Sequence, residues 1–175
     1  MSVQKWVLDE AHSVVEFQVK HLMIAKVRGN FEAFSAEVEA DLDNLATAKV
    51  QFKVDLSSVN TRNNDRDNHL KSADFFDVEK HPELIFNATS ISASGDGYKV
   101  VGDLTLHGIT KTETFNLTFE GSSLDPWGNT KAGFNVTGVI NRSDYGLTYN
   151  AALETGGVLI GDDVKINLDL EFTKA

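Results

Sequence analysis

The sequence predicts an all-β chain closed into an antiparallel barrel of about eight long strands, with one short helix covering part of it. Three observations carry this. Most of the chain alternates apolar and polar residues, the period of a strand with one dry and one wet face. The alternating runs are mostly about ten residues long, where ordinary strands have about five or six, and strands of that length need their edges hidden. One stretch, from Asn63 to Pro82, breaks the alternation with crowded charges and the adjacent pair Phe75 and Phe76. A sandwich would show the same alternation; strand length and edge protection favour the barrel.

Trp6, Val7 and Leu8 begin a short first strand that ends at Asp9. After a turn at His12 and Ser13, Val15, Phe17 and Val19 alternate with Glu16, Gln18 and Lys20. Leu22, Met23, Ile24 and Ala25 do not alternate, which predicts a brief helical turn from His21 to Ala25. The apolar positions are odd-numbered at Val27, Gly29 and Phe31 but even-numbered at Phe34, Ala36 and Val38. A period of two changes face only through an extra residue, so a bulge is expected near Ala33. Ala48, Val50, Phe52, Val54 and Leu56 then make a clean strand.

In the central insert, Asn63, Asn64 and Asp65 can each cap a helix by accepting from free N–H groups of the first turn, and Asp67 suits the positive helix end. The helix is expected to start near Asp65, with Leu70 and Ala73 on one face and Arg66, Asp67 and Lys71 in water. Asp74 to Asp77 read as a turn carrying two large apolar groups. Pro82 biases His81 to an extended conformation and announces the next strand. Such an insert either plugs one end of a core or gates a ligand.

Leu84 to Ile91 carries apolar residues of both parities, which predicts partial cover on both faces. Gly95-Asp96-Gly97 and His107-Gly108 mark tight turns around the strand holding Tyr98, Val100, Gly102, Leu104 and Leu106. Phe115, Leu117 and Phe119 lie on the next strand, closed by Asp125-Pro126-Trp127-Gly128. Ala132, Phe134, Val136, Gly138 and Ile140 follow, and Val164 to Phe172 gives the last strand. Inward glycines at Gly29, Gly102 and Gly138 would widen the lumen or bend strands at barrel corners.

With 175 residues, two prolines and no repeat, residues 1–175 are expected to form a single domain. There is no cysteine, which excludes disulfides and thiolate ligands. The net charge of −10, from 26 acidic against 16 basic residues, repels phosphate backbones and argues against nucleic acid as a partner. The start MSVQKWVLDEAHS lacks a basic region followed by an apolar run, so a cytoplasmic location is expected, and no stretch predicts membrane insertion.

The chemistry-bearing residues give little sign of catalysis. An enzyme would draw on His12, His21, His69 and His107 with Arg66, Asp67 and Asp74, yet no local metal-ligand spacing is present, so neither a metal nor a catalytic set is expected. Ser13 lacks a nucleophile elbow. Gly156, Gly157 and Gly161 lack the partners of a phosphate loop and read as a flexible hairpin loop. Arg142 is expected to make a surface ion pair with Asp144 or Glu154. A barrel of eight strands has room for packed side chains or for one small ligand, and both outcomes stand at this point.

Asp9, His12, Ser13 and Phe17, then His21, Gly29, Phe31, Ser58 and Thr61, precede the block RDNHLKSADFFD from Arg66 to Asp77. Pro82, Phe86, Gly102-x-Leu104-x-x-x-Gly108 and Arg142-x-x-Tyr145-Gly146 follow in order. Together these residues resemble the YceI-like family over nearly the whole chain, the central block being the most specific part. The resemblance implies a lipocalin-like barrel, often dimeric, with a lipid tail running down an apolar pore. The expectation is non-enzymatic binding of a polyisoprenoid, an isoprenoid quinone or a fatty acid or amide, for storage, transport or stress response. No cofactor is required, and a homodimer is expected.

The expected ligand-binding wall is Val15, Phe17, Val19, Phe31, Val50, Phe52, Leu104, Phe134, Val136 and Ile166, with Leu70, Phe75 and Phe76 from the insert. Arg66 and His69, near the mouth, would meet a polar head group or else pair with Asp65, Asp67 or Asp74. The alternative is a structural or interaction module whose barrel is packed solid by Phe17, Phe31, Phe52 and Phe134.

Overall fold

The computed structural model describes residues 2–150 and 159–175. The alternating runs become β1 (Gln4–Leu8), β2 (Val14–His21), β3 (Ala25–Phe31), β4 (Phe34–Ala40), β5 (Lys49–Asp55) and β6 (Val59–Asn60). After the helix α1 (Asn64–Lys71) come β7 (Glu83–Ser94), β8 (Gly97–Leu106), β9 (Ile109–Leu124), β10 (Thr130–Asn141) and β11 (Ile160–Lys174). All pairings are antiparallel, in the order β1-β4-β5-β7-β8-β9-β10-β11, and β11 returns to β1 to close an eight-stranded barrel. The remaining three segments continue barrel strands past a break. β2 pairs β3 as β1 pairs β4, and β3 pairs β6 as β4 pairs β5. Closure gives each of the eight barrel strands a neighbour on both sides, while the short β6 pairs only with β3 among the described residues.

The breaks lie side by side. β1 and β2 are separated by a 3-10 turn at Glu10–His12, and β5 and β6 by another at Leu56–Ser58. The expected bulge falls at Glu32 and Ala33, whose amides donate to the carbonyl and hydroxyl oxygens of Ser58 at 3.2 and 3.0 Å. At the first break the hydroxyl of Ser13 donates to the Asp9 carbonyl and accepts from the Glu171 amide, tying the interrupted strand to β11. Three adjacent strands therefore break at one level, and the Glu32, Ala33 and Glu171 amides there each find a partner.

Inward parity sorts the core. Phe34, Phe52, Phe86, Leu104, Phe115, Ile140 and Phe172 are buried, and Trp6 donates its indole N–H to the Ala40 carbonyl. The parity change along β7 is a bulge rather than cover on both faces: the β7–β8 register slips between Ala88 and Ser90, which turns Ile91 inward after Leu84, Phe86 and Ala88. The stretch after His21 also differs from expectation. Instead of a helical turn, β2 and β3 form a tight hairpin with Leu22 and Met23 at φ of 54° and 61°. An apolar run that fails to alternate signals helix and tight hairpin equally, and no glycine or asparagine marks this turn.

The inward glycines do not widen the lumen, and Gly102 lies beside the β7–β8 register slip. A Cβ on Gly29 would lie 2.6 Å from the ring of Phe17, and a Cβ on Gly102 or Gly138 would overlap Phe86 or Phe115. Each is the seat of a phenylalanine ring.

Candidate functional site

The helix α1 starts where its cap dictates. The side chain of Asn63 accepts from the Arg66 amide at 2.9 Å. Leu70 faces the barrel, but Ala73 lies beyond the helix, which ends at Lys71, so the expected two-residue apolar face reduces to Leu70. Asp67, expected in water, is buried. Its carboxylate accepts from the Thr61 amide at 2.9 Å and the Thr61 hydroxyl at 2.6 Å, joining the helix to the residue that follows β6. Arg66 donates from Nε to the Thr61 hydroxyl and from Nη2 to the Thr61 carbonyl. It forms no ion pair with Asp65, Asp67 or Asp74 among the described residues, whereas His69 does pair with Asp74 at 2.8 Å.

Two apolar chambers lie inside the barrel. The inner one, about 180 Å³, is lined by Val15, Phe17, Phe31, Val50, Phe52, Leu104, Phe134, Val136 and Ile166, among others. The outer one, about 340 Å³, lies under the insert and is lined by Phe17, Val19, Phe31, Arg66, His69, Leu70, Phe75, Phe76 and Ile166, among others. Phe17, Phe31, Leu84, Ile140 and Ile166 line both, so the chambers abut. Of the residues shared by both chambers, Phe17 and Phe31 pack ring to ring with centroids 5.4 Å apart, and Phe31 meets Phe76 of the outer chamber at 6.0 Å. Tyr149 lines the outer chamber, where its ring meets that of His69 edge-on with centroids 4.8 Å apart and lies 5.1 Å from that of Phe75.

Tyr149 and Leu159 line the outer chamber without any signal in the sequence, because the segment after Gly146 has no period. Arg142 is not the surface ion-pairing residue expected from the sequence. It is 5% exposed, and its guanidinium donates to the carbonyls of Leu147, Tyr149, Ile160 and Gly161. Its carboxylate neighbour is Asp162 at 3.8 Å rather than Asp144. Burial pushes its pKa down, and Asp162 opposes that shift. Glu154, Gly156 and Gly157 lie outside the described residues. Tyr145, fully buried, donates to Glu113 at 2.7 Å, and burial drives its hydroxyl pKa upward, with the Glu113 bond adding to the shift.

The histidines do not assemble into the set the sequence offered for catalysis. His12 pairs with Asp9 at 2.9 Å, in a cluster that also holds Glu171 and Lys131. The hydrogen bond from His12, helped by Lys131 against the cost of desolvation, brings the Asp9 carboxyl down to about 2, and the same contact raises the His12 pKa. Asp77, His81 and His107 do converge.

The sequence profile of the YceI-like domain matches residues 6–172. The chain belongs to the YceI-like family. The UPF0312 protein SAS2572 of Staphylococcus aureus (strain MSSA476) is 49% identical over 166 residues, covering 94% of this chain and 95% of that relative. The crystal structure of Burkholderia cenocepacia BcnA superposes with a TM-score of 0.81 at 25% identity, covering 94% of this chain and 98% of that one. A polyisoprenoid-binding domain from Saccharophagus degradans, implicated in plant cell wall breakdown, shares the fold, with a TM-score of 0.72 at 18% identity over 98% and 99% of the two chains. No helix among the described residues of this YceI-like chain is long and apolar enough to cross a membrane.

Proposed function

We propose that this protein binds one long apolar chain, of the polyisoprenoid, isoprenoid quinone or fatty acid or amide class, with its tail in the barrel and its head at the insert. The observation that carries this reading is the apolar space the phenylalanines leave: two abutting chambers of about 180 and 340 Å³ where a filled barrel would have none. A pocket for a small ligand commonly measures about 300–1,000 Å³. Each methylene buried contributes about 0.8 kcal/mol, so ten carbons contribute about 8 kcal/mol, comparable with the cost of association. No reaction is needed for that role.

The head group is assigned to Arg66. Its Nε and Nη2 are taken by Thr61, while Nη1 has no hydrogen bond among the described residues and remains for a polar or anionic group. His69 is the weaker candidate because Asp74 holds its Nε2. Membership of a fold that includes a polyisoprenoid-binding domain is consistent with the ligand class.

Native mass spectrometry of purified protein, and of delipidated protein after adding an isoprenoid alcohol or quinone, tests the reading. A single adduct of lipid mass is expected. Protein repeatedly free of lipid, with no uptake of either compound, would sink the proposal.

A further inference from the structure

We propose that Asp77, His81 and His107 form a binding site for a divalent transition-metal ion of the zinc class. One donor atom from each lies within 4.8 Å of the others. A tetrahedral ion with bonds of about 2.1 Å needs donors about 3.4 Å apart, so binding requires the side chains to close by about 1 Å. The site is independent of the lipid reading, and it sits where the insert meets the β8–β9 hairpin.

The backbone arrangement argues that these side chains are placed for a purpose. Asp77 holds φ at 50°, and its carbonyl accepts from the amides of Lys80 and His81, making a tight turn that returns His81 beside it. His107 and Gly108 hold φ at 55° and 74° at the tip of the β8–β9 hairpin. A two-residue turn with both residues left-handed favours asparagine then glycine, and here a histidine takes the first place. Non-glycine residues in this region carry strain, and such strain collects at functional sites. Gly108 is required for the fit: a Cβ there would lie 2.9 Å from Cε1 of His81.

The protonation pattern also suits a metal. Nδ1 of His107 lies 3.0 Å from the Tyr145 carbonyl, which can only accept, so Nδ1 donates there and, in the neutral ring, the lone pair lies on Nε2. A second-sphere carbonyl of this kind commonly orients metal-bound imidazoles. Neither the Asp77 carboxylate nor the His81 ring makes a hydrogen bond among the described residues; the ring only meets that of His107, edge-on, with centroids 5.0 Å apart. All three side chains are half-buried, leaving a fourth position to water. Two imidazoles and one carboxylate select zinc, cobalt or nickel over calcium or magnesium, which prefer all-oxygen shells. The bound ion would brace the turn carrying Phe75 and Phe76 against the hairpin.

Cobalt(II) titration of chelator-treated, full-length protein tests this, read by visible absorption. The expected result is one cobalt per chain with the intense band of a four- or five-coordinate site, displaced by one equivalent of zinc, and a thermal midpoint that rises with metal. His107→Asn installs the residue this turn favours, which offsets loss of the bond to the Tyr145 carbonyl, so it should still fold without metal while losing the metal-induced shift. Asp77→Asn, which also tolerates positive φ, and His81→Asn should each weaken cobalt binding by at least about tenfold. His12→Ala should leave it unchanged, since His12 belongs to the separate cluster with Asp9 and Glu171. Folded wild-type protein without stoichiometric binding, binding undiminished in the His81 and His107 variants, or binding lost only in His12→Ala would each overturn the proposal.

Discussion

The ring of Phe115 lies across Gly138 on the neighbouring strand, in the space a Cβ would occupy. Phe115 is itself buried and packs edge-on against Phe86 with centroids 5.3 Å apart, so it cannot swing away without disturbing a second ring. Gly138→Ala should therefore destabilise the fold by about 1–3 kcal/mol, the usual cost of overpacking. Gly133→Ala on the same strand is the control, because its Cβ would meet only the Glu120 Cβ at an ordinary 3.5 Å. Urea denaturation of both variants checks the contrast, and equal stabilities would show that the ring is not seated as described.

The barrel was legible because most of its strand length obeys one rule. Val50 to Leu56 and Val164 to Phe172 put an apolar group at every second position, and the parity slip at Ala33 marked a real break. Asn63 announced the helix through its cap. Much of the inner chamber's lining followed from the same parity: Val15, Phe52, Val136 and Ile166 line it because they face inward. The rest depended on contacts between residues distant in sequence. Nothing in the order of residues says that Phe115 will cover Gly138, that Thr61 will collect Asp67 and Arg66, or that His107 will meet His81 across two turns. Leu22 and Met23 adopt left-handed conformations that their side chains do not favour, so the hairpin they form carries no local signature.

Arg142→Lys should lose at least about 2 kcal/mol of stability. The guanidinium meets four carbonyls from two segments at once, and an ammonium with three donors on one atom cannot span them. Each buried acceptor left unmet costs about 1–3 kcal/mol. Hydrogen exchange should rise around Leu147 and Tyr149 before it rises in β9 and β10. A variant within about 0.5 kcal/mol of wild type by urea denaturation would rule out this bracing role.

Stability should also carry a pH signature from Asp9 and His12. The folded Asp9 carboxyl sits at about 2. Against an unfolded value of about 3.9, its contribution is present above about pH 4 and lost as pH falls through the folded value. The His12 pKa is raised by the same contact. Its contribution is therefore full below about pH 6.5 and lost as pH rises through the folded value. The pair is intact between about pH 4 and 6.5 and weaker on both sides. The effect is small because His12 is exposed to water. Thermal midpoints of wild type and Asp9→Asn should differ most in that window; a difference that does not vary with pH would count against the pair.

Leu84 and Ile166 each line both chambers, so enlarging them narrows the passage between the two. Phenylalanine at both positions adds apolar volume without a polar atom that would need a partner. If a lipid tail runs from the outer chamber into the inner one, Leu84→Phe with Ile166→Phe should sharply reduce isoprenoid uptake measured by native mass spectrometry. The thermal midpoint of the lipid-free protein should hold or rise, because filling a void removes part of the cost of the cavity. Val139→Phe, on an outward position of β10 that is 50% exposed, should change neither quantity. A lowered midpoint with unchanged uptake would mean that the passage is already packed and that no tail passes between Phe17 and Phe31. Undiminished uptake with an unchanged midpoint would confine the ligand to the outer chamber, shortening the tail that the barrel can hold.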